Sequence, residues 1–357
     1  MSKEPKGLEA TARTFNGKRV GSLLMDNALY IVMLMVIIYI AIANPNFVSA
    51  SSIVNIISQA CAYLPAALGV AGCIVLTGTD LSAGRIVGVA ACVGASLLQK
   101  VDAANKMWPQ IGTLPVLVVL LIVMVIGALI GAFNGFFVGK FKLHPFIVTL
   151  ATQLILYTFL LLYIQAGNNN GMAISGLDPT YKNFITGSII TDTASKMGLS
   201  IPTIPNYIII AVLLTAVMWF IWNKTTFGKN MFALGSNVEA AKVSGVNVLF
   251  TTILVFALAG AMYSVTGFVE GARIGSNTAN TGLNYEADAI AACVIGGVSF
   301  VGGIGKIRGV VIGVFMLRII FVGLTMMRID QNLFYVVKGA IILFACALDM
   351  RKYLAKK

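Results

Sequence analysis

The side chains able to do chemistry in this 357-residue chain are few and far apart. The lone histidine, His144, stands in Lys140-Phe141-Lys142-Leu143-His144-Pro145 with no second ligand near it in sequence, so neither a metal centre nor a proton relay is expected there. Cys61, Cys73, Cys92, Cys293 and Cys346 lie inside apolar runs, form no CxxC pair, and read as small core hydrophobes. A nucleotide-cradling Gly-x-x-x-x-Gly-Lys-[Ser/Thr] loop is missing, since Gly228-Lys229 is followed by Asn230 and Gly305-Lys306 by Ile307. The chain is therefore expected to hold no cofactor and to hydrolyse no ATP itself.

Three polar groupings remain. Asp80 lies in Thr77-Gly78-Thr79-Asp80-Leu81-Ser82-Ala83-Gly84-Arg85, with Thr79 and Ser82 beside it; a gate on a polar path and a helix cap explain it equally well. Glu270, Arg273, Glu286 and Asp288 frame the polar stretch 274–285, and ionisable residues at a span end are costly unless hydrated or paired. In the segment 237–245, Asn237 can cap a short helix from Val238, Glu239 suits its first turn, Ala240 and Ala241 keep one side thin, and Gly245 can end it. Such a helix suits insertion into a groove on another protein; an amphipathic connector is the plainer alternative.

A membrane must position these groups. Apolar residues make up 58% of the chain, charged ones 11%, and the mean hydropathy is +0.91. A soluble domain carries about 25% charged residues and under half apolar. Ten spans of about 20 residues would absorb nearly all the apolar residues, leaving no room for a large soluble enzyme domain. The runs are continuous rather than alternating, which favours helices over a barrel. Candidate spans fall at 28–43, 53–77, 86–98, 116–138, 146–164, 207–222, 249–269, 287–303, 309–327 and 333–348. The third is short, the second contains Pro65, and a Gly-rich turn at 296–305 answers the one at 78–85 in the same sense, as in a decayed repeat.

Lysine and arginine test this layout independently. With the N-terminus inside, inner segments collect 17 of the 25 basic residues, Arg85 among them, and outer segments 6. The net charge of +12 thus encodes orientation and gives no ground for a nucleic-acid partner. The expected fold is an all-α integral membrane protein of about ten transmembrane helices, with one or more broken helices and both termini cytoplasmic. Residues 1–27 form a cytoplasmic segment whose basic residues and following apolar run resemble a signal sequence, but no small-residue cleavage site follows, so the run is read as a retained first helix. Residues 28–348 form one transmembrane domain with a cytoplasmic loop at 223–248, and 349–357 a basic tail. Asp80 then sits at the inner edge, and the 270–288 group at the outer face. Arg318 and Lys338 fall within spans, where a charge costs roughly 3 kcal/mol, so each must face protein or snorkel, Lys338 to the outer interface or a carboxylate.

These residues carry a resemblance. Glu239-Ala240-Ala241 followed by Gly245 resembles the EAA-x-x-x-G loop by which ABC importer permeases engage their ATPase subunits. Gly78 to Arg85, Phe227-Gly228-Lys229-Asn230, Glu239 to Val248, and Glu286-Ala287-Asp288-Ala289-Ile290-Ala291 with Gly296-Gly297-Val298-Ser299 resemble the monosaccharide branch of that family, its galactose/methyl-galactoside members above all, from about residue 28 to the C-terminus. The resemblance implies a bacterial inner-membrane subunit paired with a second copy of itself. Its partners would be two cytoplasmic ATPase subunits, or one double-ATPase chain, which bind ATP and Mg, and a periplasmic or lipid-anchored sugar-binding protein. On that reading Asn237, Glu239, Ala240, Ala241, Ser244 and Gly245 couple to the ATPase. Thr79, Asp80 and Ser82 are pathway or gate candidates, and Glu270, Arg273, Glu286 and Asp288 dock the binding protein or line the sugar entrance. Galactose or a methyl galactoside is the implied cargo, with glucose as a further candidate and ribose or another pentose as runner-up. An ion-coupled secondary transporter would need an intramembrane carboxylate relay, which acidic residues clustered at span ends do not supply. A membrane-embedded enzyme would need a His/Asp/Glu constellation that is missing.

Overall fold

A computed structural model describes residues 28–197 and 201–354; the expected cytoplasmic segment 1–27 and the last three residues of the tail lie outside the described residues. Apart from two isolated bridges, the regular structure among the described residues is helical. The helices are α1 (Ala28–Ala43), α2 (Ala50–Val75), α3 (Ala83–Leu97), α4 (Val116–Phe141), α5 (Pro145–Gln165), α6 (Pro179–Thr186), α7 (Ile189–Lys196), α8 (Tyr207–Lys224), α9 (Thr226–Ser236), α10 (Val238–Val243), α11 (Val248–Ile274), α12 (Tyr285–Ile295), α13 (Ile307–Met326) and α14 (Leu333–Leu354).

A helix stands at each of the ten apolar windows, but among the described residues six of them, α2, α4, α5, α8, α11 and α13, are long and apolar enough to cross a membrane. The window 287–303 is not one span. It holds α12, 11 residues and therefore about 16 Å long, half of a hydrocarbon core, followed by a glycine turn. That turn is apolar enough to hide its break from a hydropathy window. Gly297 adopts φ +77°, and Val298 N–H returns to Cys293 O at 3.0 Å. The end of α2 is built alike, with Thr77 at φ +60° and Gly78 N–H on Cys73 O at 2.9 Å. Each is a Schellman-type stop, so the two paired turns also share backbone geometry.

The centre of the bundle is α2 and α11, both buried through most of their length. Pro65 removes one donor from α2, and the next residue reaches sideways: Ala66 N–H donates to Thr266 Oγ1 at 2.9 Å. Helix α4 lies along α11 through Gly127, Gly131, Gly135 and Gly139. A Cβ on Gly131 would stand 2.0 Å from Phe256 O, and one on Gly260 1.9 Å from Gly127 O, so the two backbones touch. In lipid, where no hydrophobic force drives helices together, such close van der Waals approach is the main attraction. The opposite side of α4 exposes Leu121, Val125, Leu129 and Phe133 at every fourth residue, a surface suited to lipid tails.

The connections gather at two ends. At one lie α9, α10 and the turns 76–82 and 296–306. At the other, Gln99 accepts from Met107 N–H at 2.8 Å and donates to Ser175 O at 2.9 Å, while Ile174 and Asn277 exchange backbone hydrogen bonds. From there the stretch 278–284 does not stay on the surface. It dives back between helices, close enough that a Cβ on Gly88 would stand 2.4 Å from Thr281 O.

Candidate coupling surface and buried charge clusters

The 223–248 stretch expected as a loop is mostly helix. Thr225 starts α9 by accepting Gly228 N–H at 3.2 Å, and Asn237 starts α10 by accepting Ala240 N–H at 3.0 Å. Gly245 stops α10 as the sequence predicts, at φ +83°, with Val246 N–H on Ala241 O at 3.0 Å. Ala241 is buried, whereas Asn237, Glu239, Ala240, Ser244 and Gly245 are exposed, beside Val238 and a Val243 that is 88% exposed. The exposed face thus mixes two valines and small residues with Asn237, Glu239, Lys242 and Ser244. Replacing Asn237 by Ala removes the cap and is expected to cost α10 about 1 kcal/mol. The readout is faster amide exchange confined to residues 238–244, and unchanged exchange there would refute the capping role.

Beneath that face, α9 is welded to the rest of the bundle. A Cβ on Gly235 would lie 1.9 Å from Val75 O, and one on Gly303 2.1 Å from Ser236 Oγ. Gly303 N–H itself donates to Val75 O at 2.9 Å. The exposed helix pair, the end of α2 and the 296–306 turn therefore meet backbone to backbone.

Asp80 is wholly buried, and the hydrogen bonds run towards it. Its Oδ1 accepts Ser82 N–H at 3.0 Å and Ser82 Oγ at 2.6 Å. Ser82 Oγ accepts from Asn134 Nδ2 at 2.9 Å, and Asn134 Oδ1 from Thr152 Oγ1 at 2.6 Å. Thr149 Oγ1 accepts Leu81 N–H at 3.1 Å and donates to Thr79 O at 3.2 Å. The residue before α3 is Ser82, not Asp80, so the cap reading is corrected: Asp80 makes a turn onto Ser82 and pins the broken segment to α4 and α5. Thr79 contributes its backbone carbonyl. Asn134, Thr149 and Thr152 complete the arrangement; their signal in sequence is a polar side chain inside an apolar run. Asp80 Oδ2 has no hydrogen-bond partner, and no cation pairs with this carboxyl among the described residues.

Among the described residues no group of three or more His, Cys, Asp or Glu side chains comes together around His144. Its Nδ1 accepts Phe146 N–H at 3.3 Å and starts α5. Cys61, Cys73, Cys92 and Cys293 are buried, and Cys293 Sγ donates to Ala67 O at 3.2 Å.

The four residues expected to frame an outer docking face are mostly interior. Glu270 is fully buried and takes the Nε and Nη2 of Arg273 at 2.9 to 3.1 Å, leaving Arg273, at 32% side-chain exposure, as the one member open to a partner. Asp288 accepts Arg318 Nη2 on Oδ2 at 2.5 Å and pairs with Lys338 through Oδ1. The reason is electrostatic: cations on α13 and α14 inside the bundle demand a carboxylate, and α12 supplies it at depth. Lys338 thus reaches a carboxylate rather than snorkelling. Glu286, also buried, lies against Gly84, where a Cβ would come 2.1 Å from its Oε2. Arg85, counted with the cytoplasmic cations, is likewise drawn inside, donating to Ala279 O at 3.0 Å and lying 4.3 Å over the Tyr157 ring. Aromatic rings complete this second cluster. The Arg318 guanidinium stands 3.4 Å over Tyr63, and Tyr63 stacks on Tyr285 at 4.3 Å.

Residues 52–346 match the sequence profile of a family described as branched-chain amino acid transport system / permease component. The chain belongs to this permease family. This permease is 45% identical over 342 residues to the galactose/methyl galactoside import permease protein MglC of Escherichia coli (strain K12), covering 96% of this chain and 99% of the relative. To the protein of that name from Treponema pallidum (strain Nichols) it is 40% identical, covering 93% of this chain and 64% of the relative. To the ribose import permease protein RbsC of Bacillus subtilis (strain 168) it is 33% identical, covering 90% and 91%. No solved structure matches it. The permease is a transport subunit and not an enzyme, which agrees with the missing nucleotide loop.

Proposed function

We propose that this permease is the membrane subunit of an ATP-driven importer that carries galactose or a methyl galactoside into the cell. The near full-length 45% identity to galactose/methyl galactoside permeases, against 33% to a ribose permease, is the observation that carries the reading. The exposed α10 supports docking of a cytoplasmic ATPase that binds ATP and Mg. An extracytoplasmic sugar-binding protein, periplasmic or lipid-anchored, delivers the sugar at the end that carries Arg273, and two copies of the chain enclose the path in the bacterial inner membrane.

On this reading the bundle crosses the membrane ten times, its short helices crossing with their turns, and both termini are cytoplasmic. Asn44 Nδ2 donates to Met326 O at 3.2 Å, which sets the end of α1 beside the end of α13 that lies away from α9 and α10 and so supports a cytoplasmic start for α1. Thr79, Asp80 and Ser82 remain gate candidates through their anchoring to α4 and α5.

The test is reconstitution in proteoliposomes with the ATPase and binding-protein partners. ATP-dependent uptake of labelled galactose, competed by methyl galactoside and not by ribose, is the expected result. Uptake of ribose in preference would move the assignment to a pentose, and uptake abolished by an uncoupler but indifferent to ATP would overturn the ATP-driven mechanism.

A further inference from the structure

The geometry points to Tyr63, Tyr285, Asp288 and Arg318 as the sugar-contacting constriction of the path, held closed in this conformation; the inference rests on the sugar-permease reading above. A neutral hexose presents a face of C–H groups and a rim of hydroxyls. Recognition calls for a flat aromatic surface against the face and paired donors and acceptors at the rim. This cluster supplies both in one column. Guanidinium, phenol and phenol stack in order, with Arg318 3.4 Å over Tyr63 and Tyr63 4.3 Å from Tyr285 at an interplanar angle of 15°. Asp288 closes the column from the side through Arg318 Nη2.

Three further features separate this arrangement from an ion pair made for packing. One carboxylate, Asp288, serves two cations from different helices, Arg318 and Lys338. Arg318 Nε is buried with no acceptor, a donor left over that a sugar hydroxyl would satisfy. Both tyrosines are only half-buried, so the column opens on the surface of the chain while its charged end stays inside.

The space enclosed by Tyr63, Asp288 and Arg318 is too small for a water molecule. A hexose can enter only when Arg318 leaves Tyr63 and Asp288, so the same groups close the path and then bind the cargo. Breaking a buried ion pair to seat the sugar offsets much of the binding free energy. Weak binding is what a transport path requires.

The experiment measures galactose delivered per ATP hydrolysed in proteoliposomes containing the ATPase and binding protein. Tyr63→Leu and Tyr285→Leu are each expected to lower that ratio about tenfold, from loss of aromatic contact, while hydrolysis stimulated by the loaded binding protein stays within about twofold. A structural defect would lower both together. The triple variant Asp288→Leu, Arg318→Met, Lys338→Met replaces the buried charges with apolar groups and is expected to fold but not to transport. As a check that does not depend on those variants, Tyr285→Cys is expected to react with a water-soluble thiol reagent during turnover more slowly when galactose is present. An unchanged sugar-to-ATP ratio in both tyrosine variants, wild-type transport by the triple variant, or labelling indifferent to galactose would each overturn the inference. Failure of the wild type to take up galactose would instead remove the functional reading beneath it.

Discussion

Gly131→Leu is expected to abolish the folded permease. The new Cβ would lie 2.0 Å from Phe256 O and 2.7 Å from Phe256 C, both backbone atoms that no rotamer change can move aside. Helix α4 would have to leave α11, undoing the matching approach of Gly127 to Gly260. The penalty should exceed about 3 kcal/mol, the upper end of ordinary overpacking. Lipid offers no compensating hydrophobic drive to re-form the contact. Gly139→Ala is the paired control: its Cβ meets the tip of Leu249 at 2.9 Å, a side chain able to turn away, and should cost less than about 1 kcal/mol. Thermal unfolding in detergent reads both. If Gly131→Leu melted with the wild type, the glycine seam would not be what joins these helices.

The second large effect is at α10. Glu239→Arg and Gly245→Trp are expected to abolish uptake and the stimulation of the partner ATPase, while leaving membrane insertion and melting temperature close to wild type. The structure separates these outcomes because nothing lies within 4 Å of a Cβ on Gly245, and Glu239 is exposed. A tryptophan there meets only local strain from φ +83°, about 1–2 kcal/mol confined to the stop of α10. A docked partner would meet the indole directly. Loss of a central interface contact is worth about 2–4 kcal/mol, or about 100-fold in coupling. ATP hydrolysis stimulated by the loaded binding protein is the measurement, and normal stimulation in either variant would end the role assigned to this helix.

Much of this architecture is legible in the sequence because lipid makes composition speak plainly. Continuous apolar windows place ten helices, and Asn237 and Gly245 mark both ends of α10. What composition cannot carry is depth. The turn 296–306 is as apolar as a span, so the window 287–303 ran straight through the end of α12. Likewise the polar stretch 278–284 looks like a surface loop, yet it enters the bundle and takes Arg85 and Glu286 inside with it. Pairing across distance is only partly visible. Charges at 318 and 338 within spans call for a partner, but that one carboxylate, Asp288, 30 and 50 residues before them, serves both is not written in the local sequence. The glycines of α4 were a missed signal of another kind. Their four-residue spacing is present in the sequence, and it specifies which face of the helix has no side chains between it and its neighbour.

The seam between α9, Val75 and Gly303 has a mechanical consequence. Side chains act as springs between helices: they rotate, and so absorb a push. Between α9 and the end of α2 there is no such spring at Gly235, because Gly235, Val75 O and Gly303 N–H are in direct backbone contact. A displacement of α9 at Gly235 is therefore met by backbone at the Thr77 break, as by a strut rather than a cushion. Any enlargement at position 235 would change the length of that strut before it changed its stiffness.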